Sequence, residues 1–209
     1  MCLPPKGGRL LSCALCGSPW MNAGGLCRDC EKKLPKKPED RRIFGIKRTA
    51  AALCYEEPAI ALVHRFKYQN CRYLAEFFAL HMAGEDDFPK GAVLIPVPLH
   101  PNRQRQRGFS QTAELCAELS RMTGRRAESA LLARSWDTPP QTGLPLADRR
   151  ANLKGAFTAG DAKGISVILV DDVITSGATL GECANTLNAA GAKAVYALCA
   201  CSVDNWEAQ

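Results

Sequence analysis

Residues Val167 to Thr179 read VILVDDVITSGAT, and the order of residue types specifies a local chemistry. The apolar, β-branched run Ser166–Val170 has the character of a buried parallel strand. It delivers two adjacent carboxylates, Asp171 and Asp172, at its carboxyl end, where open parallel sheets bind ligands. The chain then turns through Thr175, Ser176 and Gly177 and enters a helix at Ala178. Such a turn aims backbone N–H groups outward, the hydroxyls of Thr175, Ser176 and Thr179 add donors, and a helix N-terminus favours negative charge, so a phosphate fits there. The carboxylates would repel that phosphate. They suit ribose hydroxyls, or Mg²⁺ reached directly or through water. A helix cap with nothing bound is the plain alternative, but one Asp or Thr would satisfy it. Two acids, three hydroxyls and a glycine exceed that need, so bound ribose and phosphate is the favoured reading.

A second constellation is four cysteines near the N-terminus. Cys13 and Cys16 form one CxxC pair, Cys27 and Cys30 another, with ten residues between the pairs. Two such knuckles supply the tetrahedral thiolate set of a closed structural zinc site, with no position left open for catalysis. Gly17, Gly24 and Gly25 give the backbone the freedom that knuckles need. Redox dithiols and unrelated thiols are the competing readings. Cys2 is spare.

A third is IPVPLHPNRQRQRGFSQ, Ile95 to Gln111, where a strand stopped by prolines is followed by Arg103, Arg105 and Arg107. Spacing of two does not build one helix face, so a loop is expected. Guanidiniums there could clamp diphosphate oxygens; a solvated basic turn is the alternative.

The elements that must position these groups follow an α/β pattern. Strands are expected at Thr49–Tyr55, Ala92–Val97, Ser166–Val170 and Ala194–Cys201, and helices at Glu57–Tyr68, Tyr73–Met82, Gln111–Met122 and Ala178–Ala190. That alternation argues for a parallel sheet covered on both faces. The segment KKLPKKPEDRR, Lys32–Arg42, reads as a hydrated hinge ahead of phosphate contact. The division is therefore residues 1–44, ribbon and basic linker, and residues 45–209, the main α/β domain. A net charge of +6 suits anionic ligands such as phosphates or nucleic acid without selecting one. No run reaches the roughly 18 apolar residues of a membrane helix, and the N-terminus lacks an apolar signal core. Eleven cysteines without a signal point to a reducing cytoplasm, with the cluster binding metal and Cys54, Cys116, Cys183, Cys199 and Cys201 packing in apolar runs.

The motif DDVITSGAT resembles the phosphoribosyl pyrophosphate (PRPP) motif of type I phosphoribosyltransferases. The cysteine quartet, HRFKYQNCRYLA, PVPLH…RGFSQ and LLARSWDTPPQTGLPLADRRANLKGAF (Leu131–Phe157) occur with it in the order of the ComF/GntX family, over about residues 13 to 201. Where family patterns carry RGFNQ and a second Thr before the motif glycine, this chain has Ser110 and Ser176. The resemblance implies the type I phosphoribosyltransferase fold with an N-terminal zinc ribbon. It implies that Asp171 and Asp172 contact the ribose 2′- and 3′-hydroxyls. It also implies that Thr175, Ser176, Gly177 and Thr179, with the backbone at Val173, Ile174 and Ala178, hold the 5′-phosphate. Arg103, Arg105 and Arg107, with Lys67 and Arg149, would serve the diphosphate. Lys67 reads nearly as well as a helix-end cation. Thr138, Gln141, Arg149, Arg150 and Asn152 would belong to a loop closing over PRPP. Structural Zn²⁺, Mg²⁺ accompanying PRPP, single-stranded DNA and a competence helicase complete the implied cofactors and partners.

Three functions fit: a PRPP-binding protein within a DNA-uptake assembly; an active phosphoribosyltransferase or amidophosphoribosyltransferase acting on an amine or base; and a regulator of the same fold. The ribbon offers no base-reading hood, which disfavours nucleobase salvage, and no DNA-binding helical motif supports the regulator.

Overall fold

The computed structural model describes residues 12–22, 25–135 and 153–203. Their elements run in chain order as α1 (Arg28–Glu31), β1 (Thr49–Cys54), α2 (Ala59–Tyr68), α3 (Leu74–Ala83), β2 (Val93–Pro96), α4 (Pro101–Arg107), α5 (Gln111–Thr123), β3 (Leu132–Arg134), β4 (Phe157–Ala159), β5 (Ser166–Ile174), α6 (Ala178–Ala189) and β6 (Ala194–Ser202). The four long-range strands form one parallel sheet in the order β1-β6-β5-β2, and β3 with β4 makes a small antiparallel pair. This is the expected parallel sheet flanked by helices.

The central strands explain why both faces are covered. In β5, Ile168 and Val170 face one buried cluster with Leu62, Phe66, Phe77 and Leu115 from α2, α3 and α5. Val167 and Leu169, one residue out of phase, face a second cluster with Leu180, Cys183 and Leu187 of α6 and Phe157 of β4. Side chains alternate across a strand, so an uninterrupted apolar run is what two covered faces demand.

Two sequence expectations change. Residues 101–107 form a short helix where a loop is expected. His100 accepts from the Asn102 backbone N–H through Nδ1, Pro101 occupies the first turn, where its missing N–H costs nothing, and Gly108 ends the helix at φ 79°. The linker is also tied down. Lys36 accepts from Cys54 N–H through its carbonyl at 2.9 Å, Arg48 pairs with Asp40 at 3.0 Å, and Lys37 pairs with Glu85. The hydrated-hinge expectation gives way to a strap packed along the body. No helix among the described residues is long and apolar enough to cross a membrane.

Candidate functional site

β5 runs four residues further than the apolar run alone indicates, because β6 is equally long and stays paired with it through Asp171–Cys199, Val173–Cys201 and Ile174–Ser202. On its other side β2 stops at Pro96, opposite Val170. Asp171 and Asp172 therefore sit on an ordered strand just past the end of its neighbour. That step opens a concavity at the carboxyl end of the sheet, bordered by Asp171, Val173 and the turn Ile174–Thr179.

The turn is shaped for an anion. Gly177 has φ 72°, which selects glycine, and a Cβ there would lie 2.9 Å from Ile43 Cδ1, so the end of that side chain would have to shift. No side chain caps α6 from its N-cap position. Ser176 Oγ accepts from Ala178 N–H at 3.3 Å. Neither acid serves as the cap, which removes capping as the reason for the pair. Arg41, from the linker, donates to the Thr175 carbonyl at 2.7 Å and holds the outer side of the turn. Beside it lies a cavity of about 340 Å³ bordered by Arg42, Ile43, Phe44, Ser176 and Glu182.

The two acids have different surroundings, as adjacent strand residues must. Asp172 pairs with Lys67 from the last turn of α2, Nζ to Oδ1 2.8 Å, with only 19% and 13% of the two side chains exposed. Burial works against the Lys67 ammonium, but the charge of Asp172 and its hydrogen bond outweigh it, and the lysine pKa is raised. Asp171 accepts from the Asp172 backbone N–H at 2.8 Å. Burial, followed by the neighbouring Asp172 charge, pushes its carboxyl up to about 7, with Lys67 and Arg134 of β3 pulling the other way.

Of the α4 arginines whose side chains are described, Arg107 is brought towards these groups. Its guanidinium lies 5.2 Å from the Tyr68 ring centroid and donates to Gln111 Oε1 at 3.0 Å, and its charge is felt at Lys67. The RGFSQ signature thus has a physical reading. Arg107 is aimed, Gly108 turns the chain, Phe109 is buried, Ser110 caps α5 by accepting from Ala113 N–H at 3.3 Å, and buried Gln111 steadies the arginine. An Asn at position 110 would cap equally well. Arg105 instead donates to Asn102 at 2.9 Å on the exposed side of α4. The side chain of Arg103, and all of Thr138, Gln141, Arg149, Arg150 and Asn152, lie outside the described residues.

Sequence reasoning missed Arg41, Arg134 and Tyr68 as neighbours of the site. Arg134 lies in the LLARSW signature and Arg41 in the basic linker, but nothing in their spacing to residue 171 marks either.

The cysteine cluster forms as expected. The four Sγ atoms of Cys13, Cys16, Cys27 and Cys30 all lie within 4.8 Å of one another, and Cys16 and Cys27 are 3.7 Å apart. Ligands about 2.3 Å from a tetrahedral Zn²⁺ would be about 3.8 Å apart, so the donor set fits that ion. Gly17 and Gly25 take φ 75° and 78° at the knuckle turns. Burial opposes ionisation of Cys13, but backbone N–H groups of Cys16, Cys27 and Leu15 outweigh it and hold its pKa at about 6. Cys13, Ala14, Leu26 and Cys30 pack into the same cluster as α2 and α3. Arg65 of α2 joins the two by donating to the Ala14 carbonyl at 2.7 Å and to Tyr73 Oη at 2.8 Å.

No protein-family model matches the chain. Competence protein F of Haemophilus influenzae is 34% identical over 88% of this chain and 81% of that protein. DNA utilization protein YhgH of Salmonella typhi is 30% identical over 92% and 85%, and competence protein ComFC of Bacillus subtilis is 28% identical over 84% and 70%. Among solved structures, the allosteric regulatory enzyme of purine biosynthesis is similar at 19% identity and a TM-score of 0.45, covering 65% of this chain and 29% of that one. A hypoxanthine phosphoribosyltransferase from Staphylococcus aureus is similar at 10% identity and a TM-score of 0.36, covering 63% and 62%.

Proposed function

This chain belongs to the ComF family, and we propose that it is a phosphoribosyltransferase-like protein that binds PRPP at the carboxyl end of its sheet in the service of DNA uptake. One observation carries the reading. An α6 N-terminus with no capping side chain from its N-cap position shares a concavity with Asp171, and Asp172 lies beside it on β5, so anion donors and hydroxyl acceptors stand side by side. Asp171 and Asp172 receive the ribose hydroxyls. Thr175, Ser176, Gly177 and Thr179, with the amides of Val173, Ile174 and Ala178, receive the 5′-phosphate. Lys67 and Arg107 face the diphosphate, joined by Arg103, Arg105 and Arg149.

Residues 45–209 form the ligand-binding domain, and residues 1–44 a ribbon and strap fused to it. The cysteine cluster holds a structural Zn²⁺, and the chain works in the cytoplasm, where thiols stay reduced. Single-stranded DNA is the macromolecular ligand, supported by the net charge of +6, the DNA-utilization names of the relatives, and exposed Phe44 in a basic stretch with Arg41, Arg42 and Lys47. A competence helicase as partner rests on the family alone. Mg²⁺ does not fit the acid pair as it stands, because Asp172 is held by the largely buried Lys67 ammonium.

Transfer chemistry is the second reading, favoured by Asp171, whose pKa near 7 lets it take a proton from an attacking amine. The C1–O bond to diphosphate would break as C1–N forms, with Lys67 and Arg107 stabilising the departing diphosphate. Calorimetry with PRPP tests the site: the double variant Asp171→Asn, Asp172→Asn is expected to lose binding, and undiminished affinity would sink the assignment. Diphosphate release with pooled acceptors separates the two readings, since turnover requires the enzyme.

A further inference from the structure

We infer that the Lys67 ammonium is the resident counter-ion of the acid pair, standing where a divalent cation would otherwise sit, so that a phosphoribosyl ligand enters without a metal ion on Asp172. This rests on the reading of the site as a phosphoribosyl cradle and adds its cation requirement.

The geometry is that of a built contact. Lys67 Nζ lies 2.8 Å from Asp172 Oδ1, and both side chains are mostly withdrawn from solvent. The lysine is delivered by a fixed element. On α2, Leu62, Val63 and Phe66 are buried in the core, and Arg65 is bonded to Ala14 and Tyr73. A buried carboxylate left without its cation is strongly unfavourable, so the pair satisfies a need that a metal ion would otherwise meet.

A divalent cation also lacks a converging oxygen set here. Mg²⁺ requires near-octahedral oxygen donors at about 2.1 Å. Asp172 already has an ammonium at Oδ1, while Asp171 starts on the opposite face of the strand and is approached by Arg134 from β3. Arg107 adds a further positive charge near Lys67. A metal ion would have to displace one cation and approach two more.

Two measurements on the full chain with its cysteine-bound metal test this. Buffers are cleared of metal by resin, since EDTA would strip the cysteine cluster. In the first, Mn²⁺ binding is followed by its paramagnetic resonance. Lys67→Met is expected to bind Mn²⁺ at least about tenfold more tightly than the native chain, and adding Asp172→Asn is expected to abolish the gain. Lys67→Arg, which keeps the charge, is expected to exclude Mn²⁺ like the native chain. Equal Mn²⁺ binding by the native chain and Lys67→Met, or by Lys67→Arg and Lys67→Met, overturns the inference.

In the second, ribose 5-phosphate is titrated with and without Mg²⁺. This ligand lacks the diphosphate that would carry Mg²⁺ by itself. The native affinity is expected to change by less than about twofold, whereas Lys67→Met loses about tenfold and regains part of it with Mg²⁺. A native chain that needs Mg²⁺ to bind ribose 5-phosphate overturns the inference. Failure of ribose 5-phosphate to bind in any condition refutes the cradle reading instead, and the Mn²⁺ titration then decides the role of Lys67.

Discussion

The cysteine cluster takes its four thiols from residues 13 to 30, whereas the β5 site collects Arg41, Lys67, Arg107 and Arg134 around residues 171–179 from four separate segments. The first is short-range and chemically closed: four like ligands, two tight turns, one fitting ion. The second is long-range and unequal. Its anion turn is encoded locally, but its cations arrive from α2, α4, β3 and the strap. Closure of a local loop costs little entropy, so the cluster can form with few other contacts. The β5 site exists only once the sheet and its helices have assembled. Arg65 ties the ribbon backbone directly to α2, the helix that carries Lys67.

The sharpest test of that contrast is Cys30→Ser. It should abolish stoichiometric metal by elemental analysis and give the largest loss of stability of the three variants, because metal-binding free energy is folding free energy at such a site, read as a lowered thermal midpoint. Retention of both metal and stability would show that Cys30 is not a required ligand and that the four-thiol site is misassigned.

Arg65→Met should cost about 3 kcal/mol in denaturant unfolding, because the Ala14 carbonyl and Tyr73 hydroxyl lose their donor. Metal content should stay at one ion per chain. Metal loss in this variant would break the contrast, since the ribbon would then depend on α2 for its own closure.

Asp171→Asn carries the smallest effect and a pH signature that the cluster cannot produce. A carboxyl raised to about 7 binds its proton more tightly in the folded chain than in the unfolded one. Native stability is therefore lost as pH rises from about 4 through 7. The Asn variant lacks that loss. It should be more stable than the native chain by about 2 kcal/mol above pH 7, with the difference vanishing towards pH 4. A constant difference across that range would remove Asp171 as its source.

Ser110 and Gly177 show how far local sequence reaches. The hydroxyl that starts α5 and the glycine whose positive φ turns the chain into α6 are short-range solutions, visible as a capping residue before a helix and a glycine between a hydroxyl turn and a helix. The same holds for the four cysteines and for the apolar run that makes β5 a two-faced strand. Residues 101–107 were less legible. The alternating arginines spoil any single helix face, yet Pro101 and Gly108 frame about two turns of helix.

The sequence by itself thus determined the chemistry available: a thiolate set, an anion turn and two acids on a strand, each written within a few residues. Only the tertiary structure decided which of the described basic residues reach those acids. Lys67 meets Asp172, Arg134 approaches Asp171, Arg107 lies over Tyr68, and Arg41 straps the turn. Charge carries no local spacing rule. A long basic side chain looks alike on a solvated face and beside a buried carboxylate until the sheet closes around it and sets its distance and its solvent.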